Sequence, residues 1–285
     1  MLFENAEGSG AAAVNSAGPN ATLCMPDREK SCFACCPPIR PAGYEHIQYK
    51  HIVRRILLEN TAQFASMEET AGPFAGFSCW ALGYLDDEYR QVGCLLHPAR
   101  HGGRDARRRT GYGEKCRRET CPEAGAFLAL SPAVGQKWLR LAAGLDAFSY
   151  SSRKLNPLWT MLGWGADLLG LIAQHETDTA FSARRFFNLY RFFTTDLHPR
   201  AHAYLVRRLV LQEGPGLLKD PRFERKFRTF ATRLARNLTG TFSSASGAPF
   251  THRLKLDPRF LDFARLCVAV TRTTQDDAER LKSIV

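Results

Sequence analysis

The most constraining feature of the sequence is a concentration of cysteines in its first half. Eight of the nine cysteines lie between residues 24 and 121 of the 285-residue chain. A reducing cytosol disfavours disulfides, and an odd number of thiols fits complete pairing poorly. Because thiols in such a compartment more often serve as metal ligands or catalytic groups, metal binding is the first hypothesis for this region.

Seven of these thiols form the predicted ligand set. The motif Cys32-Phe33-Ala34-Cys35-Cys36 contains a C-x2-C pair, which lets two thiolates converge on one ion from a tight turn. Adjacent side chains normally diverge, so Cys35 and Cys36 serve different irons of a cluster or two different sites, or only one of them is a ligand. The remaining predicted ligands are Cys79, Cys94, Cys116 and Cys121.

The number of thiols bears on the choice of metal. Seven cysteines exceed the four that one zinc ion or one cluster takes, so the sequence predicts either a second site or some thiols that are not ligands. An iron–sulfur cluster is favoured over zinc, because adjacent cysteines suit a polynuclear centre better than a single tetrahedral ion. His97 is a further candidate ligand, since it follows Cys94 at a zinc-like spacing, with His101 four residues later. The pair His198 and His202 is predicted to be structural or exposed.

The order of the cysteines resembles a known family of zinc- or iron-chelating domains with the signature CxxCxxCC. Cys32, Cys35 and Cys36 match the last three signature cysteines, while Glu29 stands at the position of the first. Either Glu29 supplies an oxygen ligand, Cys24 substitutes from outside the motif, or the site has lost a ligand. Later blocks of the family are matched by Cys79 with Asp86-Asp87-Glu88, by Cys94, and by Cys116-Arg117.

The resemblance covers about residues 29 to 121 and leaves the rest of the chain unassigned. The family includes the flagellin lysine N-methylases, so the resemblance implies a protein-lysine N-methyltransferase-like enzyme with a protein substrate as one alternative function. The residues give this alternative no independent support, because no glycine-rich loop for S-adenosylmethionine follows a predicted strand. Phosphate-loop, zinc-protease and serine-hydrolase motifs are also missing from the sequence. Whether the chain is an enzyme is left open.

The distribution of residue types predicts a mainly α fold in three parts. Residues 1–22 are predicted to be a disordered tail, 23–121 a cysteine-rich zinc- or iron-chelating module, and 122–285 a helical domain. In the module, a helix is predicted over 44–67, and short apolar runs around an acidic turn predict a small β-hairpin over 77–96 with one cysteine on each arm. The module is expected to pack on the C-terminal helical bundle.

Local signals place the helices of the second half. Ser131-Pro132, Asp220-Pro221 and Asp257-Pro258 are each typical of a helix start. The apolar stretch 155–175 is interpreted as one buried helix, and the aromatic group at 186–193 marks another. No stretch has the roughly 20 predominantly apolar residues of a lipid-spanning helix, so no membrane contact is expected.

Positive charge concentrates in one loop of a chain whose formal net charge is +11. Residues 100–118 carry eight Lys or Arg side chains against Asp105 and Glu114, a net of +6. Such a loop would suit a zinc-stabilised nucleic-acid-binding module, which is a second alternative function. We favour two other interpretations: the arginines offset the negative charge of a metal–thiolate site, or they are simply solvated. The chain opens without the basic start and apolar stretch of a secretory signal, so a cytoplasmic location is expected.

Overall fold

The computed structural model describes residues 21–36, 43–66, 79–118, 121–177, 181–241, 248–249 and 254–285. The predicted tail therefore lies outside the described residues, except for its last two positions. The prediction of a mainly α fold is confirmed. None of the helices in these ranges combines the length and the apolar character that a membrane span requires.

Twelve α-helices occur in this part of the chain. They are α1 (Lys50–Ser66), α2 (Gly113–Arg118), α3 (Pro122–Leu128), α4 (Pro132–Leu139), α5 (Ala147–Ser151), α6 (Pro157–Trp164), α7 (Ala166–His175), α8 (Ala183–Leu189), α9 (Pro199–Glu213), α10 (Phe223–Thr241), α11 (Pro258–Leu266) and α12 (Gln275–Ile284). Short 3-10 helices cover His46–Tyr49, Pro98–Arg100, Arg107–Thr110, Arg140–Ala142, Arg191–Thr194 and Pro215–Lys219.

The predicted hairpin is confirmed as an antiparallel pair of three-residue strands, β1 (Leu82–Tyr84) and β2 (Val92–Cys94). Its arms are shorter than predicted: Cys79 lies in the turn before β1, and residues 77 and 78 are outside the described residues. Gly83 is required by close packing, because a Cβ there would lie 2.7 Å from Thr61 Oγ1 on α1. The hairpin consequently packs directly on α1. A second short pair, β3 (Ala248–Pro249) with β4 (Arg272–Thr273), was not predicted.

Two of the three predicted helix starts are confirmed in detail. Ser131 caps α4 by accepting from the Val134 amide at 3.4 Å, and Asp257 caps α11 by accepting from the Arg259 amide at 2.9 Å. Each is followed by proline at the first helical position, where its missing N–H leaves no helical hydrogen bond unmade. Asp220 instead closes a turn by accepting from the Arg222 amide at 2.8 Å, and α10 begins at Phe223.

Two predicted helices are each divided in the structure, so these predictions were wrong as single elements. The apolar stretch 155–175 is broken at Gly165, whose φ of +94° ends α6 and begins α7. Glycine adopts this backbone conformation without the steric cost that a side chain would add. The aromatic stretch 186–193 is likewise split, since α8 ends at Leu189 and a 3-10 helix follows.

The buried apolar side chains form two clusters. The larger one lies among helices α3 to α12 and contains the fully buried Trp138, Trp164 and Phe263. The smaller one joins Phe33, α1 and the hairpin, and Phe148 from α5 also belongs to it. Two of the predicted ligands, Cys32 and Cys121, pack against the larger cluster, and three others, Cys36, Cys79 and Cys94, belong to or pack against the smaller.

A buried carboxylate links helices in the larger cluster. Glu176 is only 8% exposed; its carboxylate lies 2.5 Å from Lys219 Nζ and accepts from the Tyr190 hydroxyl at 2.7 Å. Burial raises the pKa of this carboxyl, but the hydrogen bonds from Lys219 and Tyr190 outweigh burial, and the net pKa lies below its ordinary value of 4.5. A carboxyl whose pKa falls on folding stabilises the fold above its unfolded pKa, and that contribution is lost as the pH falls through the folded pKa.

Replacing this carboxylate tests the linkage. Glu176→Gln is expected to lower the free energy of unfolding by about 1–3 kcal/mol at neutral pH, because Lys219 and Tyr190 lose a charged acceptor. Below the pH range in which the wild-type carboxyl becomes protonated, the two proteins should differ less. Urea unfolding at a series of pH values from 7 downward measures this, with the exposed Glu213→Gln as the control. A loss that stays constant down to the lowest pH at which the protein is folded would exclude the charge-dependent contribution.

Candidate functional site

The cysteine motif lies on a segment held between the hairpin and the helices. Ser31 Oγ donates to the Val92 carbonyl at 2.6 Å and accepts from its amide at 2.7 Å, which ties the segment to β2. On the other side, the Phe33 amide donates to Ser151 Oγ at 3.0 Å. The Cys32 amide also donates to the Cys24 carbonyl at 2.9 Å. These bonds fix the backbone of the motif on both sides.

The first group of thiols consists of Cys24, Cys32, Cys35 and Cys121, which we call the body-side group. Burial raises the pKa of Cys32 strongly, and charge on Cys35, Cys24 or Cys121 raises it further, so these three thiols lie within electrostatic reach of Cys32. Burial, with charge on Cys35, likewise raises the pKa of Cys24. The side chains come from the motif, from the turn before it and from the start of α3.

The second group consists of Cys36, Cys79, Cys94 and Cys116, which we call the hairpin-side group. The pKa of Cys36 is raised by a hydrogen bond with Cys35, by burial, and by charge on Cys94 and Cys79. Burial, together with charge on Cys79 and Cys116, raises the pKa of Cys94 to about 11. Helix α1 holds the backbone at Cys79 in place, because Asn60 Nδ2 on this helix donates to the carbonyls of Cys79 at 3.1 Å and Leu82 at 2.8 Å.

Each group has an arginine–carboxylate pair beside it. For the body-side group, Arg153 Nη1 lies 2.7 Å from Glu123 Oε1, and the Cys121 thiol donates to Glu123 Oε2 at 2.8 Å. For the hairpin-side group, Arg107 pairs with Asp105 at 2.8 Å and donates to the Cys116 carbonyl at 3.1 Å. Each arginine is matched by its carboxylate, and burial together with the hydrogen bond to Glu123 raises the pKa of Cys121 to about 12. The pair on the body side therefore favours the protonated Cys121 thiol.

In the described part of the chain, none of the nine cysteines forms a disulfide. The thiols are brought into two neighbourhoods, but within the described residues no three His, Cys, Asp or Glu side chains stand in an arrangement that would hold a metal ion. Binding an ion would therefore require side chains of a group to turn toward a common point.

The other candidate ligands have structural partners. Glu29 forms an ion pair with Arg90 at 2.6 Å. His97 accepts from the Ala99 amide at 3.2 Å and caps the 3-10 helix after it, while a ring nitrogen of His101 lies 2.8 Å from the Leu95 carbonyl. Cys24 contacts the motif through the hydrogen bond that its carbonyl accepts from the Cys32 amide. Which of the three alternatives fills the first signature position stays a prediction.

Cys267 and the remaining histidine pair lie outside both groups. The Cys267 thiol donates to the Ala201 carbonyl at 3.2 Å. His202 Nδ1 lies 2.9 Å from the carbonyl of His198, the residue before α9. The pair was predicted to be structural or exposed; His198 is exposed, and His202 has this backbone contact. The contacts of Glu123 and Arg153 beside Cys121 were not predicted. The spacing Cys121-x-Glu123 was a signal that could have indicated Glu123.

The arginine-rich loop is used partly within the molecule. Besides Arg107, the guanidinium of Arg109 lies 6.0 Å from the Trp80 ring centre, and Arg117 pairs with Glu114. Exposed Arg108 and Arg117 border a cavity of about 580 Å³, which Asp105 and Glu114 also line. The acidic side chains make this cavity mixed in charge, so it does not present the uniformly basic surface that nucleic acid favours.

Comparisons of the chain with protein-family models, with curated proteins and with solved structures gave no match. The resemblance to the chelating family therefore rests on the cysteine pattern alone. The functional argument consequently depends on the chemistry of the thiols and on their neighbours.

Proposed function

We propose that the protein binds metal through the cysteine-rich module at residues 23–121, as an iron–sulfur cluster or as zinc. One observation carries the proposal: thiols from three separated stretches, 24–36, 79–94 and 116–121, come within electrostatic reach of one another without forming disulfides. Isolated buried cysteines behave as small apolar side chains and have no reason to gather. Gathered thiols are the ligand set that zinc and iron–sulfur clusters use.

The residues around the thiols suit such a group. Soft thiolates select zinc or iron–sulfur clusters over hard cations. Arg107 and Arg153 lie beside the thiols, and their carboxylate partners orient them and match their charge. A bound metal would supply cross-links between chain segments and, as a cluster, redox capacity. The residues themselves hold the segments in register through Ser31 and Asn60.

A lysine-modifying activity, which the resemblance to the chelating family implies, is an alternative to this proposal. No described residue contact points to S-adenosylmethionine or to a lysine substrate. The nucleic-acid alternative has the exposed arginines Arg104, Arg108 and Arg117 in its favour, and acidic neighbours against it. Metal binding is therefore the function that we carry forward.

Metal analysis of the full chain tests the proposal. Protein purified without oxygen, or reconstituted, is expected to contain zinc, or iron with acid-labile sulfide, that survives extensive dialysis. The double variant Cys116→Ser/Cys121→Ser should lose much of it, while Cys267→Ser, which alters a thiol outside both groups, should retain it all. The proposal fails if the wild type binds neither metal after reconstitution, or if the double variant and the control contain equal amounts.

A further inference from the structure

A basic face runs along α10, and we infer that it binds the sugar–phosphate backbone of duplex DNA. This basic face consists of five exposed side chains, those of Arg222, Arg225, Lys226, Arg233 and Arg236. Among the helices of the described ranges, α10 is the longest. The inference does not depend on metal binding, because the basic face contains no cysteine.

The five basic residues lie on one side of the helix. At about 100° per residue they fall within an arc of about 100°, and at about 1.5 Å per residue they extend over about 21 Å of the helix axis. Arg222 precedes α10, but its carbonyl accepts from the Lys226 amide at 3.2 Å, so it continues the helical backbone. Thr229 and Thr232, which are also exposed, occupy the turn between the two halves of the face.

The opposite side of α10 is buried. Phe223, Phe227 and Leu238 belong to the larger apolar cluster, and the two phenylalanine rings pack on Phe192 at ring-centre distances of 5.0 and 5.7 Å. This packing decides which side of the helix faces outward. A helix that lies on a membrane buries apolar side chains among the lipids. Because the apolar side of α10 is already used in the core, an anionic membrane is a poorer partner than a nucleic acid.

Most of the charge on the basic face is not neutralised by the described part of the chain. Lys226 lies 3.6 Å from Asp220, whereas no described carboxylate pairs with the four guanidinium groups of the face. The one acidic side chain of α10, Glu224, pairs with Arg228 on a different side of the helix. Like charges three or four residues apart on a helix repel each other. A bound polyanion would remove this repulsion, so the face is suited to one.

The shape and the composition of the basic face favour duplex DNA among polyanions. B-form DNA carries one negative charge per about 1.7 Å of its axis, so a row of cations about 21 Å long can contact several phosphates. The major groove of B-form DNA is about 12 Å wide and admits an α-helix, whereas that of duplex RNA is deep and narrow.

Single-stranded nucleic acid is a poorer match because the basic face lacks aromatic side chains. Proteins bind single strands by stacking bases on exposed aromatic rings. The aromatic residues of α10 are Phe223, Phe227 and Phe230, and all three pack into or against the larger apolar cluster. Contacts to phosphates carry no sequence information, so we expect the binding of duplex DNA to be independent of its sequence.

Fluorescence anisotropy of the full chain with labelled DNA duplexes of about 20 base pairs tests the inference. The wild type is expected to bind two duplexes of unrelated sequence with similar Kd values, about micromolar or tighter at about 50 mM salt. Between about 50 and 200 mM salt the affinity should fall about 100- to 500-fold, the loss expected for four or five phosphate contacts.

Removing charge from the basic face should weaken this binding. The variant Arg225→Gln/Arg233→Gln/Arg236→Gln is expected to bind at least about tenfold more weakly at about 100 mM salt. The slope of log Kd against log salt concentration should be smaller by about 3, because three phosphate contacts are lost. The substituted side chains are exposed, so the variant should keep its fold, which circular dichroism and thermal unfolding check.

The matched control is Arg104→Gln/Arg108→Gln/Arg117→Gln, which removes the same charge from exposed arginines of the loop at residues 100–118. It should bind the duplex within about twofold of the wild type. The inference is overturned if the wild type does not bind the duplex, or if the two folded variants lose equal affinity. Binding of duplex RNA, or of vesicles of equal parts phosphatidylserine and phosphatidylcholine, without binding of the DNA would also overturn it.

Discussion

Replacing Trp138 by alanine is expected to lower the free energy of unfolding by about 3–5 kcal/mol. The side chain is 0% exposed, and its Nε1 donates to the Leu169 carbonyl at 3.2 Å. Its ring packs edge-on against Phe181 and Phe186, at ring-centre distances of 5.3 and 5.2 Å. Truncation would remove this packing and the hydrogen bond from Nε1, and a loss of this size is a large fraction of a typical domain's stability.

Denaturant unfolding of the purified protein measures this loss. Leu128→Ala is the matched control, because Leu128 is 71% exposed and its truncation should change the free energy of unfolding by less than about 0.5 kcal/mol. A loss below about 1 kcal/mol for Trp138→Ala would contradict the assignment of this residue to the centre of the larger cluster.

On the proposal that the cysteines hold metal, its removal is expected to loosen the hairpin while leaving the helices of the larger cluster intact. Two three-residue strands are marginal by themselves, and here they depend on Thr61, which accepts from the Tyr84 amide at 2.8 Å, and on the bonds from Ser31. Metal bound by Cys79 and Cys94 would add cross-links at both arms, and structural sites contribute such binding energy directly to folding.

Hydrogen exchange with and without a chelator measures the effect. Amides of β1 and β2 should exchange about tenfold faster or more after metal removal, while those of α9 and α11 should change little. The variant Cys79→Ser/Cys94→Ser should show the fast exchange even with metal present. Uniform exchange changes across the chain, or none in the hairpin, would contradict a centre on the hairpin side.

Local signals sufficed for part of the fold. Ser131 and Asp257 act as caps because the side-chain oxygen and the proline after it satisfy helix-start requirements within a few residues. The hairpin was predictable from two short apolar runs around an acidic turn. The break at Gly165 was not predictable, because the apolar pattern continues across it. Sequence alone does not tell a glycine inside a helix from one that ends a helix, since the difference depends on tertiary contacts.

The seven predicted cysteines could be identified from the sequence, and their role as metal ligands stays a prediction. Their relation to one another depends on contacts between distant segments. The partnership of Cys24 with Cys32 needs the backbone bond between them, and the role of Arg153 needs α5 to lie beside the start of α3. Sequence spacing carries no such long-range information, which is why two groups emerge only in the folded chain.

X-ray absorption at the metal edge tests whether the cysteines bind the metal, because it identifies the atoms that surround the metal. For zinc-loaded protein we expect a first shell of about four sulfur atoms at roughly 2.3 Å, and for iron a first shell dominated by sulfur. The Cys267→Ser control should give the same spectrum. A first shell dominated by oxygen or nitrogen would contradict the account, because the metal would then be bound away from the cysteines.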